Sequence, residues 1–213
     1  MLKLQGIAVS PGVTIGEALV LDSEGFRIPR RFVERSAVDT ELARLAHAVA
    51  ETTREVERNR DAIQAELGEQ YAAIFAAHLA MLHDERLQQE LTAAVRDRNW
   101  WPEYAVSRTL RRYAKAFQNL DNHIAQRAHD IYDIEKSLLR NLLGLRRETL
   151  AAISQPVIVL AHNLTPSETA NLDRRFVQGF ATELGGPGSH TAIVAEGLDR
   201  KSTRLNSSHV SES

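Results

Sequence analysis

The chain has 213 residues, 43% of them hydrophobic and 25% charged, with a formal net charge of −2. That is the make-up of one ordinary domain or two small ones, with no electrostatic case for nucleic-acid binding. There is no cysteine, so disulfides, thiol nucleophiles and thiolate metal sites are excluded. The opening Met1-Leu2-Lys3-Leu4-Gln5 lacks a signal-peptide core and no apolar run reaches bilayer length, so the expected location is cytoplasmic, away from membranes.

Leu4 to Val9 alternates and then meets Ser10-Pro11-Gly12, a turn signal. Thr14 to Leu21 is again strand-like. The two segments predict a hairpin with a longer loop. Residues 23–35 are charged and irregular. From Ser36, Val38, Leu42, Leu45, Val49, Val56, Ile63 and Leu67 recur at helical spacings, which predicts one long helix ended by Gly68. Glu69 to His83 is a second helix. Asp84-Glu85 caps a third that runs through Arg96, and Trp101-Pro102 opens a fourth with proline in its first turn. Ile124 to Leu143 is a fifth, stopped by Gly144. Residues 36–144 are therefore helix after helix with short joints, the pattern of a helical bundle.

The composition changes again at Ala152. Pro156 to Ala161 predicts a buried strand, and Thr165-Pro166-Ser167-Glu168 reads as an N-cap, a first-turn proline and an acidic first turn. Phe176 to Thr182 predicts the next strand. The glycine-rich Gly185-Gly186-Pro187-Gly188-Ser189 follows it, then His190, then a short helical run from Thr191 to Leu198. A histidine at the mouth of a helix faces free N–H groups and a dipole that disfavours its charged form. A neutral imidazole beside an anion site is what phosphoryl transfer to histidine requires. Strand–helix–strand–helix order implies an α/β unit. The simplest architecture is an α/β domain, residues 1–22 plus 146–198, interrupted by a helical insert at 23–145.

The string Gly185 to Ala195 resembles the phosphohistidine signature of the phosphoenolpyruvate-utilising enzymes. Gly6-Ile7-Ala8-Val9-Ser10-Pro11-Gly12, Ala73-Ile74-Phe75-Ala76-Ala77-His78-Leu79 and Leu164-Thr165-Pro166-Ser167-Glu168-Thr169-Ala170 narrow the resemblance to Enzyme I of the bacterial phosphotransferase system. It runs from about Leu4 to Leu198. It implies an incomplete, swivelling-type phosphohistidine domain interrupted by an all-α bundle. It implies that His190 takes a phosphoryl group that originates in phosphoenolpyruvate and passes it to a histidine of the small carrier HPr, in sugar uptake. Thr165, Gly185, Gly186, Ser189 and Thr191 would support the imidazole and the phosphoryl oxygens. HPr would dock on the insert, on a face that includes Glu69, His78, Leu79, Met81, Asp84, Glu85 and Arg127. For Asp84 and Glu85, helix capping is an equally good reading; for Ile74 and Phe75, core packing is the better one.

The family's C-terminal barrel binds phosphoenolpyruvate and Mg²⁺ and drives homodimerisation, and it has no counterpart here. The expectations are a monomer without its own Mg²⁺ site and without activity on phosphoenolpyruvate alone. Glu196 stands where the family commonly has arginine, which would weaken a phosphate site that it faced. Residues 199–213 read like the translation of a sequencing-library adapter and are expected to be a non-native or disordered tail. Two alternatives stand beside the main reading: a non-catalytic fragment whose bundle only binds a partner, and a nitrogen-pathway paralogue.

Overall fold

The computed structural model describes residues 5–8, 13–21, 26, 28–119, 127–145, 153, 155–173, 175–183 and, as backbone, 201–205. The chain divides into two compact units, Met1–Glu24 with Ile63–Tyr71 and Arg147–Ser213, and Gly25–Ala62 with Ala72–Arg146.

Helices α1 (Val38–Leu67), α2 (Glu69–Leu82), α3 (Glu85–Arg96), α4 (Pro102–Gln118) and α5 (Ala128–Leu142) supply the helical unit. Each boundary has a local cause. Gly68 and Gly144 follow α1 and α5 at φ +98° and +65°, the left-handed conformation that costs glycine nothing. Asp84 caps α3 by accepting a hydrogen bond from Leu87 N at 2.7 Å. Pro102 sits at the first position of α4, where its missing N–H is no loss.

The buried stripe of α1 is Leu45, Ala48, Thr52, Val56, Asn59 and Ile63, so two polar residues share the seam expected of aliphatics. Thr52 is accommodated because its hydroxyl donates to Ala48 O at 2.8 Å and accepts from Asn141 Nδ2 at 2.9 Å. Among the helices α4 and α5 pack most extensively, with Val106, Leu110, Ile131 and Leu138 fully buried. The fifth helix is described from Ala128, since 120–126 lie outside the described residues.

In the α/β unit, β1 (Gly6–Ala8), β2 (Glu17–Leu21), β3 (Val157–Ala161), β4 (Val177–Thr182) and β5 (Lys201–Leu205) form one sheet in the order β1-β5-β4-β3-β2. Strands β2 to β5 are parallel and β1 is antiparallel to β5. Helix α6 (Pro166–Ala170) lies between β3 and β4 in sequence. The central strands read as near-continuous apolar runs because parallel strands are covered on both faces. Val157, Val159, Ala161, Leu164, Leu172, Val177 and Phe180 make their core.

Two expectations are corrected. The N-terminal segments do not form a hairpin: β1 and β2 stand at opposite edges of the sheet. β2 runs parallel to β3, from Glu17↔Val157 to Leu21↔Ala161, and so lays Leu19 and Leu21 against the core. A hairpin with β1, whose three residues are all exposed, would offer no such burial. The second concerns the tail, expected to be non-native or disordered: the disorder alternative is overturned for Lys201–Leu205, a strand seated between β4 and β1. Pairing satisfies backbone groups whatever the side chains, and the edge of a buried β4 demands a partner.

Candidate functional site

The carboxyl ends of parallel strands are where α/β sheets place their chemistry. Two described groups stand there, a capping box and a side-chain pair. Thr165, four residues past β3, caps α6: its Oγ1 accepts from Glu168 N at 3.2 Å, and Glu168 Oε2 accepts from Thr165 N at 2.9 Å. This is a reciprocal capping box. The Thr165 hydroxyl proton also goes to Glu168 Oε2, at 3.1 Å. Immediately past the last paired residues of β3 and β4, His162 Nδ1 donates to Glu183 Oε2 at 2.8 Å. Glu183 N donates in turn to Ala161 O at 3.2 Å. His190, Gly185, Gly186, Ser189, Thr191 and Glu196 lie outside the described residues, as does the expected helix Thr191–Leu198.

The helical unit contains a cleft of about 580 Å³ whose lining includes Ala77, Met81, Asp84, Tyr113, Phe117 and Arg127. Of the expected docking residues it brings together His78, Met81, Asp84 and Arg127. Leu79 and Glu85 are not among its walls, and Glu69, exposed at the start of α2, groups with the α/β unit. His78 and Leu79 need correcting as surface contacts: they are 1% and 7% exposed. They lie on the same helical stripe as Phe75 and Leu82, which points inward.

His78 packs edge-on to Phe75 and sits between two buried carboxylates, with Nε2 at 3.9 Å from Asp130 Oδ1 and Nδ1 at 3.8 Å from Asp133 Oδ2. The charges of the cleft are mixed: Asp84 and Asp130 share it with Arg86 and Arg127. Its walls are mainly apolar.

Tyr113 and Phe117 of α4 are cleft residues that the sequence did not single out. They are half-buried, one side packed and one open. Burial, then the hydrogen bond to Glu90, holds the Tyr113 phenol above its ordinary pKa. Sequence reasoning missed the buried acids. Glu135 is 4% exposed, accepts from Ser107 Oγ at 2.8 Å and Arg111 Nε at 2.7 Å, and has its pKa raised by burial against the opposing pull of those partners. Among the described residues no group of three or more His, Asp or Glu is placed to hold a metal ion. No helix among them is long and apolar enough to cross a membrane.

Two family models match the chain: "PEP-utilising enzyme, N-terminal" over residues 5–127 and "PEP-utilising enzyme, mobile domain" over residues 153–200. The phosphoenolpyruvate-protein phosphotransferase of Geobacillus stearothermophilus is 39% identical over 197 residues, 92% of this chain and 34% of its own length. That of Bacillus subtilis (strain 168) is 34% identical over 200 residues, 93% of this chain and 35% of its own. Among solved structures, an NMR solution structure of Enzyme I matches with a TM-score of 0.75 at 33% identity, covering 94% of this chain and 81% of that one. The N-terminal domain of a nitrogen-type Enzyme 1 matches with a TM-score of 0.70 at 25% identity, covering 96% and 84%.

The chain thus belongs to the PEP-utilising enzymes, and within them to the Enzyme I, or phosphoenolpyruvate-protein phosphotransferase, family. It spans about a third of the length of the curated relatives it matches.

Proposed function

We propose that this chain is the phosphohistidine and carrier-docking portion of a sugar-pathway Enzyme I. His190 accepts a phosphoryl group that originates in phosphoenolpyruvate and exchanges it with the carrier HPr. In that exchange the P–N bond on the carrier's histidine breaks as a P–N bond to a His190 ring nitrogen forms, so no other co-reactant is needed. Such transfer is mostly positioning and charge stabilisation. The observation that carries the reading is one chain that joins a parallel sheet, whose β4 leads into the Gly185–His190 string, to a helical unit with an apolar, charge-rimmed cleft.

Thr165 has a specific part in it. Its hydroxyl proton is committed to Glu168 and one lone pair accepts from Glu168 N. The remaining lone pair can only accept. Facing the imidazole, it would hold the protonated ring nitrogen and leave the other nitrogen as the nucleophile. The glycine string and the amides of Ser189 and Thr191 would take the phosphoryl oxygens. On the helical unit, Met81, Tyr113 and Phe117 would receive an apolar carrier surface, while Asp84 and Arg127 set its register. The nitrogen-pathway reading is second, since the nitrogen-type domain is the weaker of the two structural matches, at 25% against 33% identity.

The test is incubation with phosphorylated HPr. Acid-labile label on the chain, absent in His190→Ala, is the expected result. Carrier binding with no label would leave a partner-binding module.

A further inference from the structure

The His162–Glu183 hydrogen bond at the carboxyl ends of β3 and β4 has no part in the mechanism above. β3 and β4 run in parallel register as far as Ala161↔Thr182. His162 and Glu183 are the next residue on each strand, and their side chains close the end of the ladder at 2.8 Å. Beneath them, Glu183 N still donates to Ala161 O at 3.2 Å. Beyond Glu183 the sequence continues into the glycine string. Among the described residues Glu183 is the last before that string. Its anchor, His162, stands three residues before the Thr165 cap.

The geometry points to the His162–Glu183 pair as a clamp that sets the exit direction of β4, and through it the placement of His190. His162 and Glu183 are positioning residues; neither touches the phosphoryl group. The inference rests on the reading of His190 as the phosphoryl acceptor.

Both partners are about half exposed, with side-chain accessibilities of 58% and 49%. Solvent-exposed pairs of this kind add little to global stability. They can still bias a local equilibrium, and reaction geometry is sensitive to small displacements. The clamp therefore predicts a rate effect without a stability effect. A contact of similar type provides a control at the other end of the ladder: Gln155 Nε2 donates to Glu17 Oε2 at 2.7 Å, at the amino end of β3.

The experiment measures phosphoryl uptake by the full chain from phosphorylated HPr, alongside backbone amide exchange. His162→Ala and Glu183→Ala should each lower kcat by about three- to fivefold, the bias available to an exposed side-chain pair. KM for the phosphorylated carrier and the melting temperature should stay unchanged. The double variant should be no slower than either single one, His162→Gln, which keeps an N–H donor, should recover most of the rate, and Gln155→Ala should have no effect. Unchanged kcat in both single variants, a fall matched by Gln155→Ala, or a change confined to KM would overturn the clamp. If the wild-type chain takes up no label, the reading of His190 fails and exchange decides the clamp. The Glu183 amide should then exchange several-fold faster in His162→Ala and not in Gln155→Ala, and equal rates would overturn it.

Discussion

Arg44 of α1 grips Glu103 of α4 in a fork, Nη1 to Oε1 at 2.6 Å and Nη2 to Oε2 at 3.0 Å, across 59 residues of sequence. The same guanidinium donates to Glu41 Oε2 at 2.6 Å and to Leu142 O at 2.9 Å, so one side chain ties α1, α4 and the end of α5 together. The two carboxylates, Glu103 foremost, raise its pKa against the opposing effect of burial.

The fork predicts an asymmetry. The Glu103 side chain is 4% exposed and that of Arg44 33%. Arg44→Ala strands a buried carboxylate and should cost about 3–5 kcal/mol. Glu103→Ala leaves an arginine that keeps Glu41, the Leu142 carbonyl and some water, and should cost about 1–2 kcal/mol. Urea denaturation of the two variants measures the order, and equal costs would refute the argument.

Glu135 predicts a pH dependence. Burial raises its pKa above the ordinary 4.5, so the folded chain holds this proton at pH values where the unfolded chain has released it. The folded state then binds more protons, and stability must fall as pH rises from about the ordinary value through the raised one. Glu135→Gln cannot titrate. The stability of the wild type relative to this variant should be greatest at the acid end of that window and decline across it. Denaturant melts at a series of pH values give the slope, and a rising difference would reverse the sign.

Asp84 separates capping from docking. Its carboxylate caps α3 through Leu87 N and also lines the cleft. Asparagine caps nearly as well as aspartate. Asp84→Asn should keep the melting temperature and weaken HPr binding, most visibly at low salt. Asp84→Ala should lose about 1 kcal/mol of stability as well. Calorimetric titration against HPr, paired with thermal melts, distinguishes the two.

Thr165 carries an analogous test. Thr165→Ala removes the hydroxyl from the capping box and should cost about 1 kcal/mol. It should also slow label uptake by His190 beyond what the loss of stability explains. Thr165→Ser restores the oxygen and both properties. A Thr165→Ala chain that melts lower yet takes up label at the wild-type rate would confine the residue to capping.

The legible parts of the fold were those with local causes. Gly68 and Gly144 ended helices, Asp84 and Thr165 capped them and Pro102 opened one, because a cap or a terminator is settled within a few residues. His78 was misread because its stripe faces inward against Asp130 and Asp133, acids that a helical pattern assigns to solvent. Glu103 and Glu135 escaped for the same reason: a buried carboxylate is tolerated only where a distant arginine or hydroxyl meets it. No short window of sequence contains that partner.

The amino-acid order by itself settled where the first four helices begin, that the C-terminal part is α/β, and which histidine follows which glycines. Those features depend on backbone preferences and side-chain periodicity, which act over one or two turns. Only the tertiary structure decided that β1 and β2 part to opposite edges, that Lys201–Leu205 enters the sheet, and that His162 meets Glu183. Strand pairing and ion pairing join residues far apart in sequence, and they are chosen by which surface is left to bury once the helices and strands have formed.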